Sequence, residues 1–321
     1  MPIEPIDLSP ARFFPIARRR SLVQASSYRE PPEVRADFPG ASSLVTDPVA
    51  ASRIEALAER IVAAVRGGRP VAFGMGAHAV KLLLGGMLAD LLERGAITSV
   101  AMNGAAAFHD LELALFGATS EDVASELPRG RFGFAEESAR AFNEAASLAY
   151  KSGRGLGEAL AELVGRNAPA ERARWSVLAT CHRLAKTVTV HVAIGTDVVH
   201  MHPSADGAAL GASSMLDFRR FCSVVANLAG GVYVNLGSAV VMPEVFLKAV
   251  SLAFHLGRDI SGLTTANLDM LDHYRPRENV LRRIGSYAID IRARHEESLP
   301  ALRACVVARL LRVPDEVGGG I

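Results

Sequence analysis

Short apolar runs, glycine turns and amphipathic stretches alternate along most of this chain, and no other feature restricts its fold so tightly. Val71-Ala72-Phe73 leads into Gly74-Met75-Gly76 and a helical pattern that stops near Gly95. Ile97 to Met102 passes through Asn103-Gly104 to a helical segment around Leu111 and Leu115. Val188 to Ile194 ends at Gly195-Thr196-Asp197. Val232 to Leu236 ends at Gly237-Ser238, after which Pro243 opens a helix that runs through Phe254 to Gly257. Tyr287 to Ile291 adds a late strand and Leu299 to Leu311 a final helix. Strands separated by helices cannot pair through tight turns, so they must lie parallel and be joined by right-handed crossovers. The expected fold is α/β: a doubly wound, Rossmann-like, mostly parallel sheet with a helical insertion.

Residues 1–47 are rich in Pro, Arg and Ser without a sustained period, and read as an arm laid over the body or over a neighbouring subunit. Asp47 before Pro48 is an N-cap with proline at the first helical position, and Ile54, Leu57, Ile61, Val62 and Val65 recur at helical spacing up to Gly67. Residues 48–315 read as one domain. Within it residues 120–183 carry helical patterns alone, around Ala135 to Tyr150 and Leu156 to Val164, which predicts the insertion. Ser213 or Ser214 is expected to cap a further helix with Asp217 in its first turn. Residues 316–321 are expected to form a loose tail.

A length of 321 residues accommodates this architecture as one large unit. Half the residues are hydrophobic and 21% charged, which excludes extended disorder and a coiled coil. The formal net charge of +1 leaves no global field for nucleic acid or an anionic membrane. The first residues lack the apolar run of a signal peptide, and no later stretch is apolar for long enough to span a membrane. Cys181, Cys222 and Cys305 are too few and too scattered for a disulfide framework or a thiolate metal site, which favours the cytoplasm.

In open α/β sheets ligands settle beyond the carboxyl ends of the strands, where amides at helix N-termini converge on an anion. Gly74-Met75-Gly76-Ala77-His78-Ala79 satisfies the relaxed dinucleotide-turn pattern between a strand and a helix, although Asn103 rather than an acid ends the next strand. The same glycines also suit a plain tight turn. His191, His200 and His202, with Asp197 and Asp206 nearby, form the densest polar cluster. On a strand, His200 and His202 would share one face, and the cluster suits either a divalent metal or a polar pocket. His109-Asp110 marks a second polar strand end, with Asp110 available to cap the first turn of its own helix. Asp269, Asp272, His273, Tyr274, Arg275, Arg277 and Glu278 form a third cluster, readable as solvated surface or as an ordered loop. Only four of the 35 basic side chains are lysines (Lys81, Lys151, Lys186, Lys248), so imine chemistry has few candidates, and Lys81 and Lys248 read as solvated helix flanks. No nucleophile elbow, P-loop or catalytic-cysteine signature occurs.

Taken in order, the segments VAFGMGAHAVK, SVAMNGAAAFHDLELA, TVTVHVAIGTDVVHMHP, YVNLGSAVVMPEVFLKA and HYRPRENV resemble deoxyhypusine synthase, and more closely a bacterial branch of deoxyhypusine synthase-like proteins, over about Pro70 to Leu311. The resemblance implies a Rossmann-like NAD-binding subunit that assembles as a homo-oligomer, a dimer or tetramer, around a small-molecule substrate such as a polyamine. It implies that Gly74, Gly76, Ala77, His78, Asn103, Gly104 and Ala105 contact NAD, that Gly237, Ser238 and Ala239 replace a run of three glycines with the same role, and that Thr264 and Thr265 reach the cofactor from a late strand end. Asp197 and Asp272 correspond to aspartates that bind the polyamine's amine ends, and Glu278 to a glutamate near the reacting lysine.

That lysine is missing, since Val280-Leu281-Arg282-Arg283-Ile284-Gly285 follows Glu278. The family histidine after the glycine run is Pro243 here, a cofactor-side glutamate falls near His109, and the only tryptophan is Trp175. A retained cofactor end beside an altered substrate end implies an NAD-dependent enzyme doing redox chemistry on a small, amine-bearing substrate without forming hypusine. His109, His191 and His200 are its candidate bases. Two alternatives stay open: a metal-assisted hydrolase or lyase using His191, His200 and His202, and a nucleotide-binding protein without turnover.

Overall fold

Val71-Ala72-Phe73, Val100-Ala101-Met102 and Val232-Tyr233-Val234 are apolar runs that become central strands, and glycine or a polar residue follows each within three positions. The computed structural model describes residues 3–285 and 287–312, so the tail expected over 316–321 lies outside the described residues. The arm contributes β1 (Ser21–Gln24), and the body opens with α1 (Pro48–Arg66), where Asp47 accepts a hydrogen bond from Val49 N at 2.9 Å beside Pro48. Then follow β2 (Val71–Met75), α2 (His78–Lys81), α3 (Gly85–Glu93), β3 (Ser99–Asn103), α4 (Gly104–Phe116) and β4 (Ala118–Glu121). Helices α5 (Val123–Glu126), α6 (Glu136–Lys151), α7 (Leu156–Asn167), α8 (Ala170–Ala173) and α9 (Val177–Arg183) separate β4 from β5 (Thr187–His191). The remainder is α10 (Gly207–Val225), β6 (Val232–Leu236), α11 (Val241–His255), β7 (Thr264–Asp269), α12 (Tyr274–Pro276), β8 (Tyr287–Arg292) and α13 (His295–Leu311).

The main sheet is wholly parallel, in the order β5-β3-β2-β6-β7-β8. Counted along the chain this is 3-2-1-4-5-6, the doubly wound arrangement in which the direction of winding reverses between the first and fourth strands, here β2 and β6. Strands β2, β6 and β7 are buried from end to end, as helices on both faces require. Tyr233 stacks on Phe246 with ring centroids 3.6 Å apart, and its ring lies against Gly74, where an added Cβ would stand 2.1 Å from the phenolic oxygen. That glycine makes room for a core aromatic.

The structure departs from the sequence reading in several places. The arm is not featureless: β1 pairs antiparallel with β4, so the first residues of the expected helical insertion, Ser120 and Glu121, belong to a strand. The helix after Gly76 is broken, with Leu83 at φ 59° between α2 and α3. Helix α10 begins at Gly207, because Asp206 accepts hydrogen bonds from Ala208 N and Ala209 N, so Ser213 and Ser214 are not caps and Asp217 is interior. Helix α11 starts at Val241, ahead of Pro243. Strand β5 stops at His191, and His200 lies in a 3-10 turn that ends before His202, not on a strand.

Candidate functional site

Six parallel strands place their carboxyl ends on one rim, where the loops after β2, β3, β5, β6 and β7 gather. At the winding reversal the loops touch backbone to backbone. Gly76 N donates to Leu236 O at 3.0 Å, a Cβ on Gly76 would stand 2.2 Å from Gly237 O, and one on Gly237 (φ 58°) would stand 2.7 Å from His295 Nε2. Ser238 is occupied locally, its Oγ accepting from Met242 N at the start of α11, and Ala239 follows in a part-exposed loop. Asn103 is the N-cap of α4, its Oδ1 accepting from Ala106 N at 2.8 Å. A Cβ on Gly104 would stand 2.2 Å from Asp197 Oδ2, so the Asp197 carboxylate rests on the α4 N-terminus, where the helix dipole favours an anion.

Beside this point opens a cavity of about 650 Å³. His78 and Lys81 from α2, Ala105, Phe108, His109 and Glu112 from α4, and Thr196, Asp197 and Val198 from the loop after β5 form one side. Arg19, Leu22 and Val23 of the arm, Ser120, Glu121 and Asp122 at the end of β4, and Ser138 of α6 form the other. The cavity thus gathers four of the site residues expected from sequence, His78, Ala105, His109 and Asp197, together with Lys81, which the sequence reads as a solvated helix flank.

Behind His109 runs a buried chain of polar groups. Its Nδ1 lies 2.6 Å from Thr119 Oγ1, and Thr119 Oγ1 donates to Glu112 Oε2 at 2.5 Å. Arg19 donates to Glu112 through both guanidinium nitrogens, at 2.5 Å to Oε1 and 3.0 Å to Oε2. No hydrogen bond engages His109 Nε2 among the described residues. Burial, helped by the charges of Lys81 and Arg19, pushes the His109 pKa down to about 3, so the imidazole is neutral at ordinary pH. Burial raises the carboxyl pKa of Asp197 and of Glu121; among the described residues neither has an ion-pair partner, although Asp197 Oδ2 accepts from Ala193 N at 3.3 Å and Glu121 Oε2 from Gly133 N at 2.9 Å. Glu121 Oε1 and the hydroxyls of Ser120 and Ser138 are buried in the cavity wall without partners among the described residues. Ser120 holds a left-handed φ of 61°, backbone strain of the kind that gathers at binding sites.

The other candidates stand apart from the cavity. His191 is buried at the end of β5, with Nε2 3.0 Å from Thr189 Oγ1 and its ring edge-on to Phe221, and burial lowers its pKa to about 4. His200 Nδ1 accepts from Gly195 N at 3.3 Å, while His202 lies between Ser204 Oγ and Glu136 Oε2. Among the described residues no group of three His, Cys, Asp or Glu side chains is arranged to hold a metal. The ligand set expected of His191, His200 and His202 therefore does not converge. Asp272 is exposed and paired with Arg277 and Arg292, and Glu278 is paired with Arg282. Thr264 and Thr265 open β7 instead of closing it, which puts them at the opposite edge of the sheet, about 16 Å from the rim at ~3.3 Å per residue. Asp110 caps α9, not its own helix, accepting from Ser176 Oγ, Val177 N and Leu178 N.

Sequence reasoning missed Arg19, Thr119, Glu112 and Glu121. The one available signal was Glu112 itself, an acid three residues after His109 in a mostly apolar helix and hence on the same face.

No family model matches this chain, and no curated protein matches it significantly. Solved structures do. A protein of Methanococcus maripaludis S2 described as a conserved LOR/SDH protein superposes with a TM-score of 0.53 at 16% identity, over 87% of this chain and 71% of that one. Unliganded AgrE gives 0.52 at 14% identity, over 79% of this chain and 32% of AgrE, so the chain spans about a third of AgrE's length. A protein of Entamoeba histolytica described as a deoxyhypusine synthase gives 0.51 at 11% identity, over 84% and 92%. Together with the sheet order, these likenesses show that the chain has a deoxyhypusine synthase-like α/β fold built on a mostly parallel sheet.

Proposed function

We propose that this chain is an NAD-dependent enzyme of the deoxyhypusine synthase-like fold that oxidises a small, amine-bearing substrate in the cavity beside β2, β3 and β5, and that it does not form hypusine. The observation that carries the reading is the position of His109. A neutral imidazole with a free Nε2 lines a cavity at the carboxyl rim of a 3-2-1-4-5-6 sheet, the edge on which this architecture binds dinucleotides. The glycine turn fits the cofactor less well than its pattern suggests, because Gly237 fills the space beside Gly76. The cavity fits it better: Lys81 lines it together with Ala105 in the first turn of α4, so one cationic side chain that can hold a diphosphate faces the space. When bound, NAD supplies the hydride acceptor.

The chain's own residues then divide the work. Asp197 and Glu121 offer carboxylates free of ion pairs to a substrate ammonium, and the unpartnered hydroxyls of Ser120 and Ser138 offer hydrogen bonds that orient it. His109 Nε2 takes the proton released as the C–N or C–O bond is oxidised. With no lysine between Val280 and Gly285, imine transfer from the family's position has no nucleophile. Assembly into a homo-oligomer, a dimer or tetramer, forms part of the same reading and is supported by exposed Ile194, Val240, Met270 and Leu271 on the loops after β5, β6 and β7. A cytoplasmic location is supported by three free, buried thiols, and no described helix is long and apolar enough to cross a membrane.

Calorimetric titration of the full chain with NAD tests the cofactor half: saturable binding is expected, and no heat up to high micromolar NAD removes it. Lys81→Met is expected to weaken binding about tenfold, the loss of one charge-assisted phosphate contact. Absorbance of NADH during incubation with diamines, polyamines and basic amino acids tests the substrate half.

A further inference from the structure

The polar chain behind His109 can be resolved by counting protons. His109 Nδ1, Thr119 Oγ1 and Glu112 Oε2 stand in a row at 2.6 and 2.5 Å, so each contact needs one hydrogen between its two heavy atoms. Threonine supplies only one. Glu112 is fully buried and takes two hydrogen bonds from Arg19, whose side chain is almost as enclosed, so both of its carboxylate oxygens are acceptors. The Thr119 hydroxyl must be donated to Glu112, and its oxygen is left to accept. The second proton can then come only from Nδ1 of His109. The opposite arrangement, a protonated Glu112 donating to Thr119 and Thr119 donating to His109, would leave the buried Arg19 guanidinium without its countercharge.

We propose that Thr119 and Glu112 are positioning residues that hold His109 in the Nδ1–H tautomer, so that the bare nitrogen is Nε2 on the cavity side, and that Arg19, reaching in from the arm, completes the device. The catalytic meaning rests on His109 being the base of the proposed oxidation; the tautomer itself needs neither cofactor nor substrate. Thr119 does here what a buried carboxylate does when it orients a catalytic histidine directly, with Glu112 one step further back. The arm is thereby part of the site, because the carboxylate that orders the hydroxyl is held at both oxygens by an arm residue.

Nitrogen-15 NMR of the full chain labelled at histidine reads the tautomer without any ligand, with the His109 signals identified by their loss in His109→Gln. The wild type is expected to show Nδ1 protonated and Nε2 bare. Thr119→Val, which keeps the shape and removes the hydroxyl, is expected to lose this preference and give a mixture, and Thr119→Ser to restore it. A wild-type His109 protonated at Nε2 overturns the proposal, as does a folded Thr119→Val chain with an unchanged signature. If Thr119→Val does not fold, the wild-type spectrum alone decides. Failure of the NAD titration would remove the proposed reaction and leave the tautomer assignment standing; failure here would leave NAD binding untouched.

Discussion

Asp217 lies fully buried in the interior of α10 and accepts hydrogen bonds from Gly157 N at 2.6 Å and Val190 N at 2.8 Å, tying α7 and β5 to one carboxylate. Burial outweighs those bonds and raises its pKa to about 7. An acid with a raised folded-state pKa stabilises the fold fully below its unfolded value and loses that stability as pH climbs through the folded value. Stability from this residue is therefore expected to fall between about pH 4 and 7, by at most about 4 kcal/mol. Asp217→Asn keeps an acceptor for both amides and removes the titration. The difference in melting temperature, wild type minus variant, should shrink across that range, and a pH-independent difference would contradict the assignment. Sequence could not show this. Asp217 reads as a first-turn helix acid because its partners lie 60 and 27 residues away in the chain, and only the fold brings them near. Glu112 is likewise held by Arg19, 93 residues away in the chain, whereas Asp197 and His109 were legible because each follows a polar glycine turn, Gly195-Thr196 and Asn103-Gly104, within a few residues.

The elements themselves were legible wherever a local signal set their ends. Asp47-Pro48 fixed the start of α1, and the glycine turns fixed the ends of β2 and β6. Longer-range competition decided the rest. Asp206 outcompetes Ser213 and Ser214 as a cap, and β4 forms because β1 of the arm supplies a partner that no nearby residue announces. Helix α9 depends on such a remote partner as well. Asp110, enclosed in α4, satisfies the amides of Val177 and Leu178 and accepts from Ser176 Oγ, so a side chain of one helix closes the start of another. Asp110→Ala would leave those donors buried and unpaired, and is expected to lower unfolding free energy by about 2–4 kcal/mol in urea. A loss below half a kilocalorie would mean that α9 finds other acceptors.

For the molecule as a whole, alternation of strands and helices announced a parallel sheet, but nothing local encodes that β6 returns to the far side of β2, and so the cavity's place was not readable. Its walls come from five separated stretches: the arm, α4 with β4, α2, the segment leading into α6, and the loop after β5. Arg19 holds the first of these to the second. Arg19→Ala would strand Glu112 as an uncompensated buried charge, and the expected loss of stability is about 3–5 kcal/mol, with the arm becoming sensitive to limited proteolysis. Unchanged protease resistance and melting would show the arm to be held by its strand pairing alone.

The ion pair between the arm and α4 also bears on how this chain can be handled. Shortening it to begin at Asp47 would remove Arg19 together with β1, the strand partner of β4. Such a truncate would keep the strands of its main sheet and a native-looking spectrum while lacking part of the cavity wall, so a failure of the shortened form to bind a ligand would say nothing about the full chain.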